Sequence, residues 1–207
     1  AGLKWLASNN TRVNLAFFET FVTGEVLPAT NSGGRATFQN ASDTRRRGVE
    51  LSADSRFGPD LTAYVSYTYL DATFQDAYTY RPTAAPATVT VAAGNFIPGV
   101  PRNNAYAELT WRRGLPGLSA AVEALYRDRL FANDTNTETA RQYAMANMRI
   151  AYSHQFGGWK FSEFVRVDNV TDTKYIGSVI VNESNSRFYE PAPGRNYMVG
   201  INASYIF

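Results

Sequence analysis

The residues that could do chemistry in this sequence are few, and the missing ones narrow the choice first. There is no cysteine and a single histidine, His154. That removes a thiol nucleophile, a disulfide framework, a zinc ribbon and any multi-histidine metal site. Glu108, Glu123, Asp168 and Arg166 could meet on one polar face, but paired carboxylates without a defined cleft do not make a hydrolase. We therefore assign no catalytic residue, no metal ligand and no cofactor. Binding chemistry is better represented. The stretch 73–100 carries Tyr78, Tyr80, Arg81 and Phe96, and the stretch 172–194 carries Arg187, Phe188 and Tyr189. Aromatic rings stack on flat ligands and arginine forks pair with anionic oxygens, so these are the ligand-binding candidates. Arg45-Arg46-Arg47 forms a local positive patch, suited to phosphate or another anion or simply solvated.

The elements that must position these residues follow from a period of two. Leu61, Ala63, Val65, Tyr67 and Tyr69 alternate with Thr62, Tyr64, Ser66 and Thr68, and the same pattern recurs along the whole chain. The last segment sets Tyr197, Val199, Ile201, Ala203, Tyr205 and Phe207 against Gly200, Asn202 and Ser204. No comparable helical period occurs, and no apolar run approaches the roughly 18 residues of a transmembrane helix. The chain reads as all-β. Strands are expected at about 2–8, 11–23, 35–57, 60–72, 102–112, 118–131, 141–155, 160–171 and 195–207.

Alternating strands fit a soluble sandwich or a membrane barrel. Many of these reach 10 to 14 residues, the length a tilted membrane strand needs, where soluble strands are commonly about 5 or 6. Charges such as Glu50, Asp54, Glu123 and Arg149 sit in mid-strand on the polar face, as a wet lumen allows. Aromatics gather near strand ends, as in interfacial girdles. The net charge of +2 offers nothing to nucleic acid. Short turns near 8–10, 57–60, 113–117 and 156–159 alternate with long segments at 24–34, 73–100, 132–140 and 172–194. Barrels of the outer-membrane type place short turns in the periplasm and long loops outside. Nine strands leave the first and last running the same way, so antiparallel closure fails. Residues 1–207 are therefore expected to be one C-terminal segment of a larger barrel, cut or processed from a longer chain.

Several segments together resemble TonB-dependent outer-membrane receptors, the siderophore-receptor family. They are Gly2-Leu3-Lys4-Trp5 with Val13-Asn14-Leu15-Ala16-Phe17-Phe18, Arg47-Gly48-Val49-Glu50-Leu51, and Gly99-Val100-Pro101-Arg102-Asn103. Two more are Val167-Asp168-Asn169-Val170-Thr171-Asp172-Thr173-Lys174-Tyr175 and Pro193-Gly194-Arg195-Asn196-Tyr197 with the terminal Ser204-Tyr205-Ile206-Phe207. The resemblance implies a 22-stranded barrel of which this chain supplies about nine strands, with the plug domain and the TonB-contacting segment outside it. It implies TonB-dependent uptake of a ferric siderophore or similar iron complex, a ligand that already wraps its metal in oxygens. A passive porin-like channel is the alternative, and a structural barrel piece that oligomerises is a third. Cobalamin, haem, copper and sugars remain open as cargo.

The implied partners are the iron chelate, TonB through the N-terminal region, the barrel-assembly machinery, and outer-membrane lipid with lipopolysaccharide. Val199, Ile201, Tyr205 and Phe207 resemble the barrel-assembly signal. Asn169 and Asp172 read as strand-ending residues, and Gly48 as a bulge or close-packing position. His154 is expected at the periplasmic interface, and Glu163 either there or at a shifted register.

Overall fold

The computed structural model describes residues 1–82, 88–114 and 116–206. In chain order the first strands are β1 (Gly2–Ser8), β2 (Thr11–Val22), β3 (Val26–Ser32), β4 (Arg35–Asn40), β5 (Thr44–Phe57) and β6 (Leu61–Phe74). Next come β7 (Tyr78–Tyr80), β8 (Val89–Val91), β9 (Asn103–Arg112), β10 (Gly117–Arg127), β11 (Leu130–Phe131) and β12 (Thr139–Ala140). The last are β13 (Tyr143–Phe156), β14 (Trp159–Asp168), β15 (Ile176–Val179), β16 (Tyr189–Pro191) and β17 (Asn196–Tyr205). Nine of them form one sheet in the order β1-β2-β5-β6-β9-β10-β13-β14-β17. The rest pair as four two-stranded ribbons, β3 with β4, β7 with β8, β11 with β12 and β15 with β16.

Every pairing in the large sheet is antiparallel, so the period-two pattern carries across it. Leu15, Leu51, Tyr67 and Ala105 are successive partners on one face. Arg12, Asp54, Tyr64, Glu108, Glu123 and Asn147 are successive partners on the other. Among the described residues no second layer covers the apolar face: Val199 is 77% exposed and Ile201 67%. A sandwich would bury such a face against a second sheet. An apolar sheet face left open belongs to a wall that meets lipid. The outermost strands, β1 and β17, run in the same direction because eight antiparallel steps separate them.

Three expected strands are shorter in the wall than their alternation suggests. The stretch 35–57 is broken: Arg35–Asn40 folds back on Val26–Ser32, and only Thr44–Phe57 joins the wall. The turn that allows this is Gly33-Gly34, both at positive φ (56° and 80°), the backbone a two-residue hairpin needs. The stretch 118–131 leaves the wall at Arg127, and Leu130–Phe131 pairs with Thr139–Ala140 instead. The stretch 160–171 stops at Asp168 because Asn169 turns left-handed, at φ 53°.

Asn169 also holds the exit. Its Oδ1 accepts from the Thr173 amide (2.9 Å) and the Thr171 hydroxyl (3.2 Å), and its Nδ2 donates to the Thr173 carbonyl (2.9 Å). The Asn169 amide donates to Asn147 Oδ1 at 2.8 Å. Asp172 continues the turn at φ 52°, and its Oδ1 accepts from the Arg195 amide at 3.0 Å. Both residues are therefore structural. Asn169→Ala should cost roughly 2–3 kcal/mol, from lost buried hydrogen bonds plus left-handed strain. Asn169→Gly should recover the backbone part, which thermal unfolding of the two variants would read.

Candidate functional site

The long loops are folded against one another. The hydrophobic cluster among the described residues lies where these loops meet the end of β6: Ala72, Phe74, Val91 and Ile97, flanked by Leu27, Leu70, Tyr78 and Tyr80. Phe74 is wholly buried, its ring edge-on to Tyr78 at 5.2 Å. Ribbon β7/β8 is thus a lid of aromatic rings packed on the end of β6.

A polar clasp joins this ribbon to the others. Asp134 is 1% exposed; its Oδ2 accepts from the Tyr78 hydroxyl and from Asn182 Nδ2, both at 2.8 Å. The Asp134 amide donates back to Asn182 Oδ1 at 3.1 Å. Asn182 Nδ2 also donates to the Pro28 carbonyl, and the Ser184 amide donates to the Asn31 carbonyl, which brings in ribbon β3/β4. Asn136 bonds both the amide and the carbonyl of Phe96, at 2.7 and 2.8 Å. Four loops, far apart in sequence, therefore meet at one carboxylate. Burial pushes the Asp134 carboxyl above its ordinary range, against the lowering effect of the Asn182 and Tyr78 hydrogen bonds. Burial and then the Asp134 charge push the Tyr80 phenol up to about 12, and Tyr78 is raised further.

The sequence candidates divide accordingly. Tyr78 and Tyr80 stack on each other inside the cap. Phe96 is held between the Phe131 ring, 5.7 Å away and nearly parallel, and the Arg102 guanidinium at 4.8 Å. Arg81, Arg187 and Tyr189 are exposed, and Phe188 is half-buried against Tyr189. The Tyr189 hydroxyl donates to Glu138 at 2.9 Å. Tyr189 also lines a cavity of about 400 Å³ with Arg141, Gln142, Lys174, Tyr175 and Pro191. It carries two cationic side chains and two phenols, a set that fits an anionic aromatic ligand. Lys174 and Tyr175 close the 167–175 segment that carries the resemblance, but their place in this cavity, like that of Arg141 and of the clasp residues Asp134, Asn136 and Asn182, has no periodic mark in the sequence. The asparagine content of 132–140 and 172–194 was the available signal, since asparagine is favoured at turns and αL positions.

The Arg45-Arg46-Arg47 patch is largely neutralised within the chain. Arg46 makes a two-pronged ion pair with Glu25 (2.5 and 2.9 Å), and Arg47 reaches Asp71 at 3.4 Å. Below the cap, Arg166 on the polar face of the wall grips Glu123 with Nη1 and Nη2, both at 2.8 Å, and Asp168 with Nε at 2.7 Å. Tyr106 and Thr110 donate to Glu108 at 2.7 and 2.6 Å. These charges form the lining of a wet interior. Val199, Ile201 and Tyr205 share the apolar face of β17, and Phe207 lies outside the described residues.

An antiparallel wall with one open apolar face, one charged face and a folded cap of long loops defines a transmembrane β-barrel of the receptor type. Residues 1–170 match the family model described as "TonB dependent receptor-like, beta-barrel", and the chain belongs to that family. It is 22% identical over 205 residues to the "Probable TonB-dependent siderophore receptor PiuA" of Acinetobacter baumannii, covering 99% of this chain and 26% of that protein. The crystal structure of the siderophore receptor PiuA from Acinetobacter baumannii superposes with a TM-score of 0.74 at 20% identity, over 98% of this chain and 27% of that one. The ferric citrate transporter FecA in its unliganded form also gives 0.74, at 16% identity, over 98% and 30%. The chain thus spans between a quarter and a third of the length of these relatives.

Proposed function

We propose that this chain is a C-terminal wall and outer mouth of a TonB-dependent receptor. The receptor sits in the outer membrane of a Gram-negative bacterium and takes up a ferric siderophore or similar iron complex. One observation carries the reading: loops interlocked at Asp134 and Asn182 present aromatic, arginine and lysine side chains at the end of a charged barrel wall. Such a rim suits a ligand that brings its metal already enclosed in oxygens, with aromatic or anionic donors outward. The exposed Arg81, Arg187 and Tyr189, with Phe188 beside them, contact the ligand. Tyr78, Tyr80 and Phe96 hold the loops that present them. Transport draws on parts of the receptor outside this chain, a plug within the barrel and the segment that engages TonB. Val199, Ile201, Tyr205 and Phe207 serve the barrel-assembly machinery, and the apolar face meets lipid and, at the outer rim, lipopolysaccharide. No observation favours a passive channel.

The test uses the full-length receptor and a panel of ferric catecholates, hydroxamates and citrate. One ferric complex should bind, and its uptake should stop in cells lacking TonB. Arg187→Ala combined with Tyr189→Ala should weaken that binding by about tenfold or more. Salt-dependent conductance with no binding would overturn the receptor reading. Undiminished binding by the double variant would overturn the site.

A further inference from the structure

At the short-turn end of β13 and β14 the apolar face of the wall carries a carboxylate and an imidazole side by side, Glu163 on β14 and His154 on β13. The register is regular: Tyr152 opposes Glu163, His154 opposes Phe161 and Phe156 opposes Trp159. Glu163 therefore shares the face of Val165 and Ile201, with no shift to rescue it. The pairing of β10 with β13 ends at Gly117 and Ser153, so His154 lies beyond the last residue of β10, at the level of its turn. This is the rim carrying the short turns. An aromatic ladder marks it on the same face: Tyr152 to His154 (5.6 Å), His154 to Phe161 (5.3 Å), Phe161 to Trp159 (6.1 Å) and Trp159 to Tyr205 (5.2 Å). Such a ladder belongs at the boundary between headgroups and hydrocarbon.

A carboxylate on that surface needs a cation. Among the described residues, β13, β14 and β17 provide none on this face: Arg149, Lys160 and Arg166 all have the opposite parity. What Glu163 has is His154, with Nδ1 at 3.5 Å from Oε2, beyond the roughly 2.7–2.9 Å of a charge-assisted bond. His154 Nδ1 is sealed from solvent and has no hydrogen-bond partner. Both side chains are nevertheless open to the outside, His154 by 36% and Glu163 by 42%. With Nδ1 turned to the carboxylate, the imidazole keeps Nε2 as its remaining acceptor. A carboxylate with spare lone pairs and a ring nitrogen thus stand side by side among aromatic faces.

We propose that Glu163 and His154 form a binding site for the primary ammonium of a zwitterionic phospholipid headgroup in the leaflet nearest the β13–β14 turn. An –NH₃⁺ group brings three N–H donors and one positive charge, matching two acceptors and one unpaired negative charge. The rings of Tyr152 and Phe161 add cation–π attraction. A quaternary ammonium has charge but no N–H donor, and a glycerol headgroup has no cation.

The test is native mass spectrometry of the full-length receptor in mild detergent, with phosphatidylethanolamine, phosphatidylcholine or phosphatidylglycerol of identical chains added in turn. Phosphatidylethanolamine should be retained about tenfold more than either of the others, the scale of one charge-assisted contact. Glu163→Gln should reduce it to the phosphatidylcholine level, with the folded mobility of the barrel unchanged. Equal retention of phosphatidylethanolamine and phosphatidylcholine by the unaltered receptor would overturn the site, as would an undiminished preference in Glu163→Gln. Should that variant not fold, the three-lipid comparison on the unaltered receptor decides alone.

Discussion

Replacing Gly48 by valine is expected to prevent the barrel from assembling. A Cβ at position 48 would lie 2.2 Å from the Tyr69 carbonyl oxygen and 2.7 Å from Cζ of Phe18. Phe18 is the register partner of Gly48, and its ring covers the glycine on the polar face of the wall. The obstructing oxygen is backbone, fixed by the β5–β6 ladder, so relief requires the two strands to part. The cost should be roughly 4 kcal/mol or more, at the upper end for a single substitution. Gly200 is a control of the same design, since the ring of its partner Phe164 covers it. A Cβ there meets ring atoms at 2.4 and 2.5 Å, and a side chain can swing away where a carbonyl cannot. Gly200→Ala should therefore cost only about 1–2 kcal/mol. Outer-membrane abundance and heat-modifiable mobility of the full-length receptor would separate the two. Normal assembly of Gly48→Val would show that the ladder yields more easily than its geometry implies. The register across Gly48 has no bulge, so of its two sequence readings close packing is the one found.

Asp134→Ala should loosen the outer cap while leaving the wall intact. The substitution removes one acceptor that serves both the Tyr78 hydroxyl and Asn182 Nδ2, and leaves those donors short of a partner in a buried setting. Two such losses amount to about 3 kcal/mol, or roughly a hundredfold in local opening. The amides of Phe96, Asn182 and Ser184, each bonded to a loop other than its own, should lose that much hydrogen-exchange protection. Amides of β14 should not change, and a parallel loss there would mean that cap and wall unfold together. The clasp also predicts a pH dependence. Burial holds the Asp134 carboxyl above its free value of 3.8. A raised carboxyl binds its proton more tightly in the folded cap, so its contribution is complete below the free value and is lost as pH rises through the raised one. Mild acid should therefore tighten the cap, and Asp134→Asn should abolish that dependence. Exchange corrected for its intrinsic rate would measure both effects.

The wall was legible because its information is local. In Leu61–Tyr69 or Tyr197–Tyr205, each residue's face is set by the parity of its neighbours, and the observed registers keep that parity across the whole sheet. The short turns were equally plain, and so was the odd strand number that makes β1 and β17 run the same way. Even Asn169 showed its role, because an asparagine where a strand leaves the pattern has few other uses. The stretch 35–57 misled because alternation continues through Arg35–Asn40, although that segment pairs with Val26–Ser32. A period of two says that a segment is extended, but not which partner it takes.

The sequence by itself determined the class of this protein, the two faces of its wall and the absence of thiol or multi-histidine chemistry. These follow from composition and from side chains alternating along an extended backbone. Only the tertiary structure decided that the long loops fold into ribbons locked at Asp134, that Tyr78, Tyr80 and Phe96 face inward, and that Glu163 meets His154 on the apolar face. Those contacts join residues as far apart as Pro28 and Asn182. They depend on which polar groups a closed cap leaves without water, and no local pattern encodes that.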